Sequence, residues 1–184
     1  MNKAILETHR LILNELTEEY FEDLAKLLAN PIVHKHFPKT LNRDESKEFL
    51  EKVQSHQKED GYSFWAVIRK EDSQFLGICG LLKQHVNGIG EVEVGYRIDN
   101  QFWGNGYATE AAKGCMEYAK NVLKVDSIIS LIRLVNQQSI RVAEKNGLEK
   151  ENEIIIHQYR HIVYRKRFNN KWELYYEKST KILG

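Results

Sequence analysis

The chain has 184 residues, of which 42% are hydrophobic, and its 27 Lys and Arg residues nearly balance its 26 Asp and Glu residues, giving a net charge of +1. A chain of this length can bury a sizeable core, and we expect a single domain over residues 1–184. The near-neutral balance excludes a global electrostatic attraction to nucleic acids or anionic membranes.

The first part of the chain alternates between strand and helix patterns. Residues 10–16 have apolar side chains at period two, which predicts a strand, and apolar residues at helical spacing follow. This helix should end at Asn30-Pro31, because proline disfavours helical backbone in the residue before it. A second amphipathic helix is predicted over residues 44–58, ending before Gly61.

The middle of the chain changes to strands. Three apolar runs, at residues 62–68, 75–82 and 91–98, predict consecutive strands. The last two are separated by Asn87-Gly88-Ile89-Gly90, which has the composition of a hairpin turn. We therefore expect an antiparallel meander.

The last part of the chain alternates helices and strands again. A helix at 107–123, a β-branched strand at 125–135 and a short helix at 139–146 are predicted, the short helix being closed by Gly147. Two further strands, at 154–168 and 172–177, flank Asn169-Asn170-Lys171 and predict a closing hairpin.

The most informative segment is the loop between strand 91–98 and helix 107–123, which reads Gln-Phe-Trp-Gly-Asn-Gly-Tyr-Ala over residues 101–108. Glycines 104 and 106 leave room for backbone N–H groups to converge at a helix N-terminus, where a diphosphate can bind. Taken alone, such a glycine pair is more often only a tight connection. A Rossmann fingerprint is not present, because Glu110 stands near its third glycine, and a Walker A motif is also absent.

Further motifs accompany this loop at ordered spacing. They are Glu93-Val94-Gly95-Tyr96, and Asn136-x-x-Ser139 followed by Glu-Lys-Asn-Gly-Leu at 144–148. With the loop, they resemble the GNAT superfamily of acetyl-CoA-dependent N-acetyltransferases. Residues 6–13, Asn30-Pro31 and the Phe-Trp-Ala-Val run at 64–67 are typical of its ribosomal-protein-alanine acetyltransferase (RimJ/RimL-like) branch.

The resemblance implies a fold and a co-substrate. The fold is mixed α+β: a mostly antiparallel twisted sheet of about seven strands, about four flanking helices, and a splay between the fourth and fifth predicted strands. Acetyl-CoA would be the co-substrate, its pantetheine arm bonding to the splayed strand and its diphosphate lying on the loop. The implied cofactor-binding residues are Tyr96, Arg97, Ile98, Gln101, Trp103, Gly104, Asn105, Gly106, Tyr107, Ala108 and Asn136.

Two catalytic residues are implied as well. Glu93 matches the glutamate that activates the acceptor amine, often through water, and it shares a strand face with Glu91. Without the neighbouring motif, two such glutamates would more often be a solvated surface. Ser139 is the candidate for protonating the leaving thiolate, because Ala143 stands where many relatives have tyrosine. Asn136 and Ser139 are equally consistent with helix capping.

The acceptor is predicted from amine chemistry. An α-amino group (pKa ~7.7 to 8.0) is partly neutral at pH 7, whereas a lysine-like amine (pKa ~10.4) is almost wholly protonated. A single water-linked carboxylate therefore favours a protein N-terminal α-amine. Small amines, such as polyamines or antibiotics, remain open as acceptors. So does a different class, a non-catalytic acyl-CoA-binding module, which the replacement by Ala143 would suit.

Other partners have weaker support in the sequence. His34-x-His36 with His9 has no Cys or carboxylate cluster at ligand spacing, so we predict no metal. The basic, aromatic run at 159–168 alternates as a solvated hairpin does, so we predict no nucleic-acid partner. Monomer and homodimer both remain open.

Cysteine use and hydropathy predict the location of the protein. Cys79 and Cys115 are isolated, and they form neither a C-x-x-C motif nor a disulfide framework. No stretch approaches the ~20 apolar residues of a membrane span, and residues 1–10 lack the apolar region of a signal peptide. We expect a soluble, cytoplasmic protein without a membrane partner.

Overall fold

One mixed sheet of eight strands organises residues 3–168, the part of the chain that the computed structural model describes. The strands lie in the order β1-β2-β3-β4-β5-β6-β8-β7, and every neighbouring pair is antiparallel except the parallel pair β5–β6. In chain order they are β1 (Ala4–Glu7), β2 (Leu11–Glu15), β3 (Phe64–Arg69), β4 (Phe75–Val86), β5 (Ile89–Ile98), β6 (Ser127–Arg133), β7 (Glu149–Ile156) and β8 (Tyr159–Arg167).

Four α-helices in this part of the chain cover the two faces of the sheet. They are α1 (Phe21–Ala29), α2 (Arg43–Asp60), α3 (Tyr107–Asn121) and α4 (Gln137–Lys145). Helices α1 and α2 pack on one face through a cluster that includes Leu28, Leu50 and Ile78. Helix α3 packs on the other face through a second cluster that includes Trp65 and Cys115. Because β3 is covered on both faces, it has a continuous apolar sequence rather than an alternating one.

Local sequence signals fix where the helices begin and end. Helix α1 ends at Ala29, immediately before Asn30-Pro31, as predicted. Helix α2 begins with a capping box, in which the Asn42 side chain accepts from the Glu45 N–H and Glu45 accepts from the Asn42 N–H, both at 2.9 Å. It ends at Gly61, whose φ of +81° is left-handed. No helix within residues 3–168 is both long and apolar enough to cross a membrane.

The predicted splay lies between β5 and β6 and is confirmed. Strand β5 pairs with β4 along its whole length, from Ile89 opposite Val86 to Ile98 opposite Gly77. With β6 it shares a single register pair, Glu93 with Ile129. Beyond that point the C-terminal half of β5 has no strand neighbour on this side among the described residues, so its backbone borders an opening in the sheet.

One prediction about strands needs correction. The proposed single strand over residues 154–168 is wrong: β7 and β8 form a hairpin that turns at His157 and Gln158, with φ of +46° and +69°. The strand predicted at 172–177 lies outside the described residues. The structure also adds β1, a short edge strand that pairs only with β2 and was not predicted, so the described sheet has eight strands rather than about seven.

Candidate active site

A cleft of about 650 Å³ lies at the splay. Its walls come from the C-terminal end of β5, the loop and first turn of α3, the N-terminal part of α4 and the segment between α1 and α2. Gln101 and Asn105 are the predicted cofactor residues that do not line it. The other nine do: Tyr96, Arg97, Ile98, Trp103, Gly104, Gly106, Tyr107, Ala108 and Asn136.

The glycine loop opens into this cleft as an anion-binding geometry requires. Gly104 and Gly106 have φ of +80° and +78°, a left-handed conformation that favours glycine. Gly106 is the N-cap of α3, and the Glu110 N–H donates to its carbonyl at 3.0 Å. The three preceding N–H groups, at residues 107–109, therefore have no acceptor within the helix, and their residues line the cleft. The positive end of the helix dipole faces the same space.

The turn between β1 and β2 holds this loop in place. Glu110 accepts hydrogen bonds from the Thr8 hydroxyl at 2.6 Å and from the backbone N–H and Nε of Arg10 at 2.7 Å each. Arg10 also donates to the Asn105 carbonyl at 3.0 Å and lies over the Tyr107 ring, 4.5 Å from its centroid. Glu110 therefore connects the first turn of α3 to the turn between β1 and β2. Sequence reasoning missed this contact, because its partners lie about a hundred residues apart.

Glu93 is buried at the one point where β5 and β6 meet, with 8% of its surface exposed. Its carboxylate accepts from the Leu131 N–H at 3.2 Å and from Nε2 of Gln84 at 2.7 Å. Burial raises the pKa of Glu93 to about 7, while these hydrogen bonds lower it in part. A carboxylate with that pKa is well matched to proton transfer near neutral pH. Glu93 does not line the cleft, so a proton would have to reach it through water.

Glu91, on the same face of β5, has a different environment. Both of its oxygens accept from the Arg165 guanidinium, at 2.7 and 2.9 Å, and both side chains are largely buried. Arg165 also bonds Glu151 of β7 and Ser127 of β6. The charge of Glu91 is thus used in a cross-strand ion pair, which separates its role from that of Glu93.

Asn136 and Ser139 contact each other at the start of α4. The Asn136 side chain accepts from the Ser139 N–H at 3.2 Å and donates to the Ser139 hydroxyl at 2.9 Å. The capping alternative is therefore observed for Asn136, which is the N-cap of α4, whereas the Ser139 hydroxyl accepts from the Asn136 side chain. Ala143 is buried in the core and brings no hydroxyl to the cleft.

The Tyr96 hydroxyl is a second candidate proton donor that the sequence did not indicate. It donates to the Ser139 carbonyl at 3.2 Å and thereby spans the splay from β5 to α4. Burial raises the pKa of Tyr96 far above its usual value, so the hydroxyl stays protonated. Tyr96 and Ser139 both line the cleft.

The charged residues that line the cleft are all basic in the described part of the chain: Lys35, Arg97, Arg141 and Lys145. Arg141 and Lys145 lie one turn apart on α4, whereas Lys35 and Arg97 lie on the side of the segment between α1 and α2. Burial lowers the pKa of Arg97 to about 10, which leaves the guanidinium charged at neutral pH. Of the four, only Arg97 was predicted to bind the cofactor.

The other sequence candidates have ordinary structural surroundings. His34 is buried, its Nδ1 donates to the Lys39 carbonyl at 2.9 Å, and burial lowers its pKa. Within residues 3–168 no group of three His, Cys, Asp or Glu side chains is arranged to hold a metal ion. In the basic run of β8, Arg165 and Arg167 both bond Glu151. Trp65 is a core residue.

Comparison with known proteins agrees with this architecture. Residues 10–149 match the family model described as an acetyltransferase (GNAT) domain. YkkB of Bacillus subtilis (strain 168) is 34% identical over 147 residues, which cover 79% of this chain and 86% of YkkB. YoaA, an N-acetyltransferase of the same organism, is 26% identical over 162 residues, covering 84% and 87% of the two chains. A structure of RimL, the ribosomal L7/L12 α-N-protein acetyltransferase, in complex with coenzyme A has a TM-score of 0.75 at 15% identity, covering 90% of this chain and 98% of RimL.

A splayed mixed sheet with a helix N-terminus opening into the splay is the architecture of a coenzyme A-dependent acyltransferase. With the family match over residues 10–149, the chain belongs to the GNAT family and is an acetyl-CoA-dependent N-acetyltransferase. The family resemblance inferred from the motifs is confirmed.

Proposed function

We propose that the enzyme transfers acetyl from acetyl-CoA to a protein N-terminal α-amine, by direct attack in a ternary complex. The observation that carries this proposal is the position of Glu93, a buried carboxylate with a pKa of about 7 at the point where the sheet splays. Such a group can accept a proton from an amine that is already partly neutral.

The cleft offers a place for each part of the cofactor. The N–H groups of Tyr107, Ala108 and Thr109 would donate to the diphosphate. The free edge of β5 at Tyr96–Ile98 would pair with the amides of the pantetheine arm, as an added strand does. Arg141 and Lys145 would attract the remaining phosphate. The charged residues of the lining are basic, which fits a ligand with several negative charges.

The chemistry follows from these placements. Glu93 takes a proton through water from the ammonium form of the acceptor, and the neutral nitrogen then forms a bond to the thioester carbonyl carbon. Backbone N–H groups near Val94–Tyr96 stabilise the resulting oxyanion. The C–S bond breaks as the carbonyl re-forms; the nitrogen loses its extra proton to water, and the Ser139 or Tyr96 hydroxyl gives its proton to the thiolate and regains one from water. Because a thiol of pKa ~8.5 is a good leaving group, this last contribution should be small.

Two considerations favour an α-amine over other acceptors. An α-amino group is roughly a tenth neutral at pH 7, whereas a lysine-like amine is about 2.5 pKa units harder to deprotonate, a difference of ~3.4 kcal/mol. The basic cleft also disfavours polyamines and aminoglycoside-like antibiotics, because Lys35 and Arg97 would repel a polycation.

A labelled-transfer experiment tests the proposal. The protein is incubated with labelled acetyl-CoA and three acceptor sets: peptides with free N-termini, the same peptides with blocked N-termini and a free lysine, and polyamines. Mass spectrometry should show label on the first set. Label only on polyamines would favour the small-molecule alternative. Calorimetric binding of acetyl-CoA without any product would favour a non-catalytic binding module.

A further inference from the structure

Arg97 is a partly buried cation that no carboxylate contacts within ion-pair distance in the described part of the chain. Its guanidinium stacks on Phe37 at 4.1 Å from the ring centroid, with Phe49 at 5.1 Å and Phe64 at 5.9 Å. One terminal nitrogen lies 3.4 Å from Nε2 of His34. The Nε atom is buried and has no hydrogen-bond partner.

This arrangement is costly in a structural role alone. A guanidinium whose Nε is buried and unpartnered loses hydration there without full compensation, and stacking on aromatic rings offsets only part of that loss. Neutral His34 is a weaker partner than a carboxylate. Glu93, on the same strand face, attracts Arg97 through space, but the two side chains form no ion pair among the described residues. Arg97 therefore has the features of a binding group whose anion comes with a ligand.

We propose that Arg97 binds a carboxylate of the acceptor, so that the preferred substrate is an amine carrying an acidic group. The proposal rests on the acetyl transfer proposed above and specifies its substrate class. The terminal nitrogens of a guanidinium present N–H donors that match the two oxygens of a carboxylate. Arg97 lines the cleft, and within residues 3–168 its terminal nitrogens contact His34 but no carboxylate.

The strand geometry indicates how far the acid lies from the amine. Glu93 and Arg97 are on one face of β5 and four residues apart, which is about 13 Å along an extended strand. The amine would be near Glu93 and the carboxylate near Arg97. The water between Glu93 and the amine takes about 3 Å of this span, and the remaining ~10 Å corresponds to roughly three residues of an extended peptide. We therefore expect the acidic side chain at the second or third position of the acceptor peptide.

The distribution of basic residues around the cleft supports the same assignment. Arg141 and Lys145 lie on α4, where the coenzyme phosphates would bind, whereas Lys35 and Arg97 lie on the opposite wall. Since no acidic residue lines the cleft among the described residues, an acidic acceptor would meet attraction rather than repulsion on entering.

Matched acceptors test the inference. Peptides that differ only in Asp or Asn, or Glu or Gln, at positions two and three are compared by kcat/KM, together with free amino acids that form the same acid and amide pairs. The wild-type protein should prefer the acid by about tenfold or more, because charged hydrogen bonds of this kind are strong. Arg97→Gln should bring the ratio close to one, and because the ratio compares two peptides with the same variant, any change in acetyl-CoA binding affects both peptides alike.

Arg133→Gln is the matched control. Arg133 also stacks on an aromatic ring, with Tyr159 at 3.9 Å, and bonds the same segment through the His36 carbonyl at 3.5 Å, but it does not line the cleft. It should keep the wild-type preference. If both variants lose the preference equally, Arg97 is not the recognition group. If Arg97→Gln does not fold, Arg97→Lys takes its place. This variant should show a smaller preference for the acidic peptide than the wild-type protein does.

The outcomes separate this inference from the proposed function. Peptide acetylation without any preference for the acid overturns the inference and leaves the proposed function standing. Preference for the acid among free amino acids, with no peptide acetylated, supports the inference and overturns the peptide acceptor. If neither the peptides nor the free amino acids show a preference for the acid, the inference is overturned. The same holds if no acceptor in either set forms a product.

Discussion

Glu93 combines a stability effect with the chemical role proposed for it. Burial raises its pKa from 4.5 to about 7, so the folded protein holds this proton more tightly than the unfolded chain does. The group therefore contributes stability that is fully present below about pH 4.5 and is lost as the pH rises through about 7. A shift of this size corresponds to roughly 3 kcal/mol. The same shift places the carboxylate where it can exchange protons during catalysis.

The substitution Glu93→Gln should separate these two effects. We expect kcat/KM to fall by about 10² or more, with acetyl-CoA affinity nearly unchanged. The wild-type rate should rise with pH through about 7 and then level off, whereas the variant should lose that step. The decline in stability between pH 4.5 and 7 due to this group should also disappear in thermal unfolding. Unchanged turnover would remove Glu93 from the mechanism.

Gln84 should tune Glu93 without entering the cleft. Its hydrogen bond lowers the Glu93 pKa, so Gln84→Met should raise that pKa and move the midpoint of the pH–rate profile to higher pH. The plateau rate at high pH should stay close to wild type. A midpoint that stays in place or moves to lower pH would contradict this positioning role.

The sequence indicates candidate residues better than it indicates their partners. Glu93 and Ser139 could be chosen because their motifs are local. Gln84 and the Tyr96 hydroxyl could not, since the first depends on the register between β4 and β5 and the second on a contact across the splay. The surroundings of Arg97 could not be predicted either, because the three aromatic rings that it contacts come from separate parts of the chain.

At the scale of elements, the glycine loop and the first turn of α3 act together. The left-handed backbone at Gly106 sets the direction of the free N–H groups at the start of α3. A residue that disfavours this conformation should therefore disturb the anion-binding geometry. An added Cβ at Gly106 would meet only the Arg10 side chain, at 3.6 Å, so backbone conformation rather than crowding is the main cost.

We expect Gly106→Ala to weaken coenzyme A binding by about tenfold or more, because strain of ~1–2 kcal/mol falls on the anion-binding turn. Gly88→Ala is the matched control, since Gly88 has a φ of +80° in the β4–β5 hairpin and open space around its Cβ. Both variants should lose similar unfolding free energy, but only the first should lose affinity in calorimetry. Equal affinities would show that the loop conformation is not needed for binding.

Element prediction succeeded where the pattern was continuous and failed at the edges. The meander, the splay and all four described helices follow from periodicity, turn chemistry and the motifs. Strand β1 has only four residues and pairs on one side, which leaves little pattern to detect. The β7–β8 turn uses His157-Gln158, residues that seldom have positive φ, instead of the Asn-Gly expected of a hairpin.

For the whole molecule, the splay divides the sheet into two parts that one backbone pair joins. The Arg165–Glu91 ion pair spans the same gap from β8 to β5, passing Ser127 of β6. With both side chains about a tenth exposed, it is far less screened by solvent than a surface pair. This ion pair should therefore contribute to holding the two parts together.

Arg165→Met should lower the free energy of unfolding by about 2 kcal/mol or more, because Glu91 would remain largely buried without its partner. The control is Arg160→Met in the β7–β8 hairpin, where the Arg160–Glu153 pair is largely exposed and should contribute less than about 1 kcal/mol. Urea titration measures both variants. Equal losses would mean that Arg165 has no special role in joining the sheet.

The open edge of β5 has a consequence for the enzyme before any turnover. A cofactor arm that pairs with this edge would act as a missing ninth strand, so the apo and loaded forms differ in how complete their sheet is. By mass action, acetyl-CoA at a hundred times its dissociation constant would add ~2.7 kcal/mol to the stability of the fold. The resistance of this protein to heat and proteolysis should therefore follow the supply of its own substrate.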